Sequence, residues 1–303
     1  RTQTPAISGV INYLNKFGRT SATPGRYKSW DPVGELYYEA LRFLQGLQPS
    51  PAAIRDLTPT MYDGFPIYTD WSGLDPFANR SPSSNYSCLK NSIVVIGDIE
   101  SHDTANYGRY PRANAADNVP DFSAWLATVS SFEKGAVTEC RDGQGVRRET
   151  SNPNPPNNNA FGPQYGIPGT AYWAHTHDIR GTSWTNEPTK QRPGLRVNTF
   201  AFDVNAYGNQ SVEANRRYRN QFFLAAKYGG FETMPSRKDE TRPYNTWGNP
   251  FLKEDGTTDN NIWQDPQRPG EAAAYALQSS ARDELAAFDK IFERAADPIR
   301  SIA

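Results

Sequence analysis

Apolar residues along this chain keep two periods, and the longer one predicts five helices. In "SGVINYLNKFGRT" (8–20), Val10, Ile11, Leu14 and Phe17 recur at helical spacing, and Gly18 can end the helix in a left-handed conformation. "SWDPVGELYYEALRFLQGL" predicts a second helix, with Asp31 as N-cap and Pro32 at the first helical position. Its apolar stripe is Val33, Leu36, Tyr37, Ala40, Leu41 and Leu44, and it stops at Gly46. "DFSAWLATVSSFEKG" places Phe122, Trp125, Leu126, Val129 and Phe132 on one face, with Asp121 positioned to cap it. A helix from about Ser211 to Tyr228 contains Phe222, Phe223, Leu224 and Ala225 and closes at Gly229-Gly230. In "SSARDELAAFDKIFERA", Ser280 and Asp283 have capping-box spacing, and Leu285, Phe288, Phe292 and Ala295 form the stripe.

Two short apolar runs predict strands. Ile93 to Ile96 run without interruption into Gly97 and Asp98, which is how a strand of a parallel sheet reads when both its faces are buried; the strand is expected over 92–98. "GLRVNTFAFDV" sets Leu195, Val197 and Ala201 on one face and Phe200 and Phe202 on the other, and it ends in Asp203. Strand alternating with helix implies the α/β class, with a largely parallel sheet flanked by helices. The stretches at about 47–87, 136–192 and 231–270 hold no sustained period and read as long ordered loops; "SNPNPPNNNAFGPQYG" suits turns or polyproline conformation. One elaborated domain over 1–303 is the expected organisation.

Composition sharpens this picture. The chain has 303 residues with 24 Pro, 23 Gly and 16 Tyr but only two Met and two Cys, which suits long aromatic-rich surface loops of an extracytoplasmic protein. Cys88 and Cys140 fit one disulfide in an oxidising compartment, with two buried thiols as the alternative. A formal net charge of −1, from 32 basic and 33 acidic residues, argues against nucleic acid or an anionic membrane as a partner. No stretch approaches a bilayer-spanning length, and the first residues show no export signal, so a soluble, processed or partial chain is expected.

Candidate chemistry collects where strands end. Ligands in open α/β sheets gather beyond the carboxyl ends of the strands, so Asp98, Glu100, His102 and Asp103 in "IVVIGDIESHD" are candidates for a divalent cation, calcium or magnesium, or for a partner contact. The competing reading has Asp98 accepting backbone N–H bonds and its neighbours capping the next element. "AHTHD" carries His175 and His177, whose rings would share one side of a strand. Together with Asp98 and His102 they outline a secreted metal-dependent hydrolase, set against ordinary hydrogen-bonded loop histidines. Asp203, Asn205 and Asn209, and "EDGTTDNN" at 254–261, offer oxygen atoms but fit no EF-hand loop and read as turns. Nucleophile-elbow, phosphate-loop and dinucleotide motifs are absent from the sequence. The aromatics of "MYDGFPIYTDW" (61–71) and "FGPQYGIPGTAYW" (161–173) either present a contact surface or pin loops onto the domain.

The segments "SGVINYLNKFG", "YKSWDPVGELYYEALRFLQGL", "CLKNSIVVIGDIESHD", "LRVNTFAFDVNAYG", "FFLAAKYGGF" and "ARDELAAFDKIFERAADPIRSIA" resemble, in this order, the PilC/PilY family of type IV pilus tip-associated proteins. The resemblance implies a von Willebrand factor A-like region without enzymatic activity. It also implies a place at the pilus tip or cell surface, reached through the periplasm, and a role in pilus assembly and adhesion. Pilus subunits such as minor pilins, and a host or abiotic surface, are the implied partners. The family's C-terminal β-propeller, which binds calcium in some members, is not expected in this chain and its calcium site is not carried over. The Asp-x-Ser-x-Ser loop of a working metal-dependent adhesion site is also absent, since "DWSGL" (70–74) and "DFSAW" (121–125) lack the final serine. Only Asp98 matches a position of that pattern. A purely structural subunit of an extracellular assembly is the remaining alternative.

Overall fold

The computed structural model describes residues 13, 32–59, 65–99, 101, 122–135, 137–141, 147–151, 166–181, 187–206, 208–231, 251, 261–278 and 281–296, with the backbone alone at 122–124, 131, 134–135, 137–141, 147–151, 281–284 and 296. The first expected helix, apart from Tyr13, lies outside them, as do Asp31, Glu100, His102, Asp103, Asp121 and Ser280.

Helix α1 spans Val33–Leu44, one residue later than expected, with Pro32 in the N-cap position and its carbonyl accepting from the Leu36 N–H at 2.9 Å. Its end follows the sequence. Gly46 sits at φ +70, its N–H reaches the Phe43 carbonyl at 3.0 Å, and the Leu47 N–H reaches that of Arg42 at 3.0 Å, the two bonds of a Schellman stop. The buried face is rotated from the expected stripe: Tyr37, Tyr38 and Leu41 are buried, whereas Leu36 is 65% exposed. The phenol of Tyr37 explains the rotation, because it shares a 2.8 Å hydrogen bond with Thr199 Oγ1 in the sheet and so must face inward.

Among the described residues the sheet has three parallel strands in the order β1-β4-β7. Strand β1 (Lys90–Gly97) runs beside β4 (Arg196–Asp203) from Lys90 opposite Arg196 to Gly97 opposite Asp203, and β4 pairs with β7 (Tyr275–Leu277) through Ala201, Phe202 and Asp203. Strand β4 is the central one and is buried almost throughout. Strand β1 corrects the expectation of burial on both faces: it lies at an edge of the described sheet, Val95 alone is fully buried, and Ile96 is 53% exposed. In the parallel register Val94 and Ile96 share a face with Phe200 and Phe202.

That face is covered by α7 (Ala281–Ala296), whose Phe288 stacks on Phe202 with centroids 4.9 Å apart. The expected stripe of α7 is corrected too, since Leu285 and Phe292 are 70% and 61% exposed while Ala287 and Ile291 are buried. The helix has an equally regular alternative in Ala287, Phe288, Ile291 and Ala295, and Phe288 on Phe202 selects it.

On the opposite face lie α1, α4 (Ile167–Thr176) and α6 (Gln221–Gly229). Helix α6 approaches so closely at Gly229 that a Cβ there would stand 2.8 Å from both Ala171 Cβ and Thr199 Oγ1. Helix α3 (Phe122–Gly135) packs against α4.

Three departures from the expected layout come from local chemistry. The long helix predicted over 211–228 is two, α5 (Glu213–Arg219) and α6, because Asn220 takes φ −83 and ψ 115 and its side chain accepts from the N–H groups of Phe222 and Phe223 at 2.8 and 3.0 Å. The stretch 136–192 is not loop throughout: it contains the antiparallel pair β2 (Val137–Arg141) and β3 (Arg147–Ser151), then α4. The stretch 231–270 likewise supplies β5 (Gln264–Asp265) and most of β6 (Arg268–Ala272), which together form a second antiparallel pair. Within 47–87 a single helical turn, α2 (Pro51–Ile54), starts where Ser50 Oγ accepts the Ala53 N–H at 3.3 Å.

Buried charges fasten these layers. Lys227 on α6 meets Glu133 on α3 at 2.5 Å, the Tyr228 hydroxyl donates to the same carboxylate at 2.7 Å, and the Lys227 ammonium stands 4.6 Å from the Trp263 ring centroid. Breaking such a pair from one side leaves the other charge buried. Lys227→Met is therefore expected to lower stability by about 3 kcal/mol or more, and adding Glu133→Gln, which still accepts from Tyr228, is expected to restore much of it. Urea unfolding of the two variants checks this, and equal losses in both would contradict it.

Candidate functional site

At the carboxyl end of the sheet, β4 ends in Asp203, a fully buried carboxylate. Its Oδ1 accepts the Asn205 N–H at 2.8 Å, and its Oδ2 accepts from Asn220 Nδ2 at 2.6 Å and from the Tyr275 hydroxyl at 2.9 Å. Burial first, and the adjacent Asp203 charge second, push the Tyr275 phenol well above its ordinary pKa, so it stays a donor. Asn220 Nδ2 also reaches Gln210 Oε1 at 2.8 Å, and Gln221 Nε2 reaches the Ile99 carbonyl at 2.6 Å. The turn after β4, expected from its Asp and Asn content, is closed by Asn205 at φ +50, whose Oδ1 accepts the Gln210 N–H at 3.1 Å.

Beside this cluster opens a groove of about 1160 Å³, bounded by α5, the β5–β6 pair, β7 and α7. Its floor is small and apolar, with Ala273, Ala274 and Ala276 from the strand side and Ala286 and Ala287 from the helix. Arg216, Arg217, Arg268, Lys290 and Arg294 line it against Asp265, Glu271 and Glu293, so cations outnumber carboxylates by five to three. Arg216 forks onto Glu271 with Nε–Oε2 at 2.9 Å and Nη2–Oε1 at 2.6 Å, and Arg217 adds a contact at 3.0 Å. Burial opposes ionisation of Glu271, but Arg216 and Arg217 outweigh it and hold the carboxyl below the usual glutamate range.

The histidine pair proposed from the sequence does not converge. "AHTHD" is the end of α4 rather than a strand, so the two rings part. His175 is buried, with Nε2 2.6 Å from the Phe231 carbonyl oxygen and Nδ1 3.2 Å from that of Val197. His177 stacks on Trp173 at 5.9 Å and meets the edge of Trp125 at 4.7 Å. Asp178 is occupied as well, accepting the Gly194 N–H at 2.8 Å and Arg196 Nε at 3.2 Å.

Asp98 lies half-buried just beyond β1. Among the described residues no three of His, Cys, Asp and Glu come together as a cation site, and Asp203 spends its oxygens on N–H and O–H donors; Glu100 and His102, the ligands expected beside Asp98, lie outside the described residues. Cys88 is an exposed free thiol, and Cys140 sits on β2 where only backbone is described.

Of the aromatics weighed as a surface, Tyr172 is fully buried and Trp71 packs edge-on against Phe43 at 5.4 Å, while Tyr68 is 64% exposed. The groove itself had no sequence signal beyond the close spacing of Arg216, Arg217 and Arg219. Its walls come from two separate stretches of the chain, 211–217 and 265–294, and the alanines of "EAAAYAL" carry no strand pattern.

Two outcomes follow from this chemistry. Burial pushes the His175 pKa down to about 4, against the opposing pull of the Phe231 and Val197 carbonyls. Between that value and the unfolded value near 6.5, the unfolded chain binds the extra proton. Stability is then complete above about pH 6.5 and falls toward pH 4 by up to about 1.4 kcal/mol per unit. The difference between wild type and His175→Gln in urea titrations at several pH values isolates this slope; a pH-independent difference would contradict it. Asp203→Ala takes its acceptor from the buried Tyr275 hydroxyl and leaves the Asn220 amide with Gln210, and is expected to cost about 3 kcal/mol in thermal unfolding, where a loss below about 1 kcal/mol would contradict the assignment.

A family model described as "PilY1 homolog, second domain" matches residues 8–169 of the 303. The type IV pilus biogenesis factor PilY1 homolog of Xylella fastidiosa (strain Temecula1 / ATCC 700964) is 30% identical over 253 residues, covering 78% of this chain. The chain spans 18% of that protein's length. No solved structure matches the fold. Among the described residues no helix is long and apolar enough to cross a membrane. With more than half of its residues taken in by one family model, the chain belongs to the PilY1-homolog family.

Proposed function

We propose that this domain is a von Willebrand factor A-like, non-enzymatic region of a type IV pilus tip-associated protein, acting in pilus assembly and surface adhesion through protein–protein or surface contacts. Family membership carries this reading, because the matched relative is named as a pilus biogenesis factor. The architecture agrees with it: a parallel sheet with helices on both faces is a stiff frame, and polar loops and a wide groove cluster at one end of it. Minor pilins and other pilus subunits are the proposed partners, with a host or abiotic surface as the adhesion target. The proposed place of work is outside the cell, at the pilus tip or cell surface.

The test is capture. The 303-residue chain, immobilised under oxidising conditions, is expected to retain pilus subunits from a detergent-solubilised pilus fraction of a piliated bacterium carrying this family, in amounts comparable to the bound domain. Retention no greater than on an unrelated protein of equal charge would overturn the reading.

A further inference from the structure

Among the described residues the outer edge of β7 is unpaired. Ala201 N–H bonds to the Ala274 carbonyl and Gln278 N–H to the Asp203 carbonyl, both at 2.9 Å, so the even-numbered residues of this segment face β4. The N–H and C=O groups of Tyr275 and Leu277 therefore point the other way, and among the described residues no further strand pairs with them. Both residues line the groove. A row of outward backbone donors and acceptors, at strand spacing, is complementary to one kind of ligand: another extended backbone.

The surroundings favour that ligand. Alanines on the strand side and on α7 leave room above the floor for the side chains of an added segment. The rim is cationic by five groups to three; Glu271 is held by Arg216 and Arg217, and Asp265 is paired with Arg268 at 2.8 Å. Lys290 and Arg294 stand on successive turns of α7 along the same groove, and no ion pair within the described residues is formed by either. Tyr275 keeps the edge rigid, because its hydroxyl is tied to Asp203 behind it.

We infer that the β7–α7 groove accepts an extended acidic segment of a partner protein as a fourth strand, hydrogen-bonded to Tyr275 and Leu277, with its carboxylates toward Lys290 and Arg294. The site deepens the proposed function by giving the partner segment its chemistry, and it rests on the reading of this domain as a protein-contact module.

The experiment uses the whole 303-residue chain and a synthetic octapeptide of alternating threonine and glutamate, capped at both ends. Two control peptides replace glutamate by lysine or carry N-methyl groups on every second residue. Backbone amide shifts report where each one binds. The glutamate peptide is expected to perturb Tyr275, Leu277 and α7, and to bind at least about tenfold tighter than either control, as fits several charge contacts and lost ladder bonds.

Leu277→Pro removes one outward N–H without touching a bond to β4, and Lys290→Glu with Arg294→Glu reverses the rim charge. Each is expected to weaken the peptide about tenfold at an unchanged unfolding temperature. If Leu277→Pro fails to fold, the charge-reversed variant decides. Absence of binding, shifts confined elsewhere, or equal affinity for the glutamate and lysine peptides would overturn the inference.

The same variants on the pilus-fraction column separate the two readings. Equal capture of pilus subunits by wild type and variants removes the strand-addition site and leaves the pilus role. Peptide binding at Tyr275 and Leu277 without any pilus capture does the reverse.

Discussion

A single buried carboxylate organises the carboxyl end of this sheet. Asp203 closes the central strand, and everything at that end is referred to it: the turn through Asn205, the interruption between α5 and α6 at Asn220, and β7 through Tyr275. Three neutral donors satisfy its charge, which is what allows a carboxylate to sit fully out of water. Strand β7 depends on this most, since it meets β4 at only three residue pairs. A strand so short gains little from its ladder alone. The Tyr275 anchor lets it stay ordered although no further described strand pairs with its outer edge.

A second constraint explains how a chain so rich in loop orders itself. Fixing long irregular segments costs conformational entropy at every residue, and here fully buried guanidinium groups offset it. Arg180 forks onto Asp75 at 2.6 and 3.0 Å, donates to the Leu44 carbonyl at 2.7 Å, and lies 5.0 Å from the Phe77 ring centroid. Arg192 reaches the Phe77 carbonyl with Nε, at 3.2 Å, and Nη2, and the carbonyls of Thr189 and Gln191 with Nη1 at 2.8 and 2.6 Å. These two side chains join the loop of 47–87 to the segment before β4. Arginine suits the task because one planar group satisfies several carbonyls at once.

What could be read from the sequence follows the contrast each element shows to water. Strand β4, helix α1 and the stop at Gly46 were legible, since each pairs a clear apolar run with a turn residue of defined conformation. Helix α4 was hidden because nearly all its residues are buried, which erases the period, and because Pro168 and Gly169 read as loop. Strand β7 was hidden by Ala276 and the alanines at 272–274 before it, whose preference is helical; pairing with β4 overrides it at Ala276. The stripe of α7 was misplaced because two rotations of that helix are equally apolar, and only the Phe202 ring beneath it selects one. Of the candidate site, Asp98 lies at the carboxyl end of a strand that stops at Gly97, one residue before the expected bound, and the histidines fall on a helix terminus rather than on a strand.

On the proposed function, a stiff parallel sheet holds one end of the domain ready for a partner, at β7 and α7. Hydrogen–deuterium exchange of the chain alone and mixed with a solubilised pilus fraction tests it most directly. Added protection concentrated at residues 264–294, with α1 and the loop of 47–87 unchanged, is the predicted result. Protection confined to β1 and α1, with exchange at 275–277 unaltered, would contradict it.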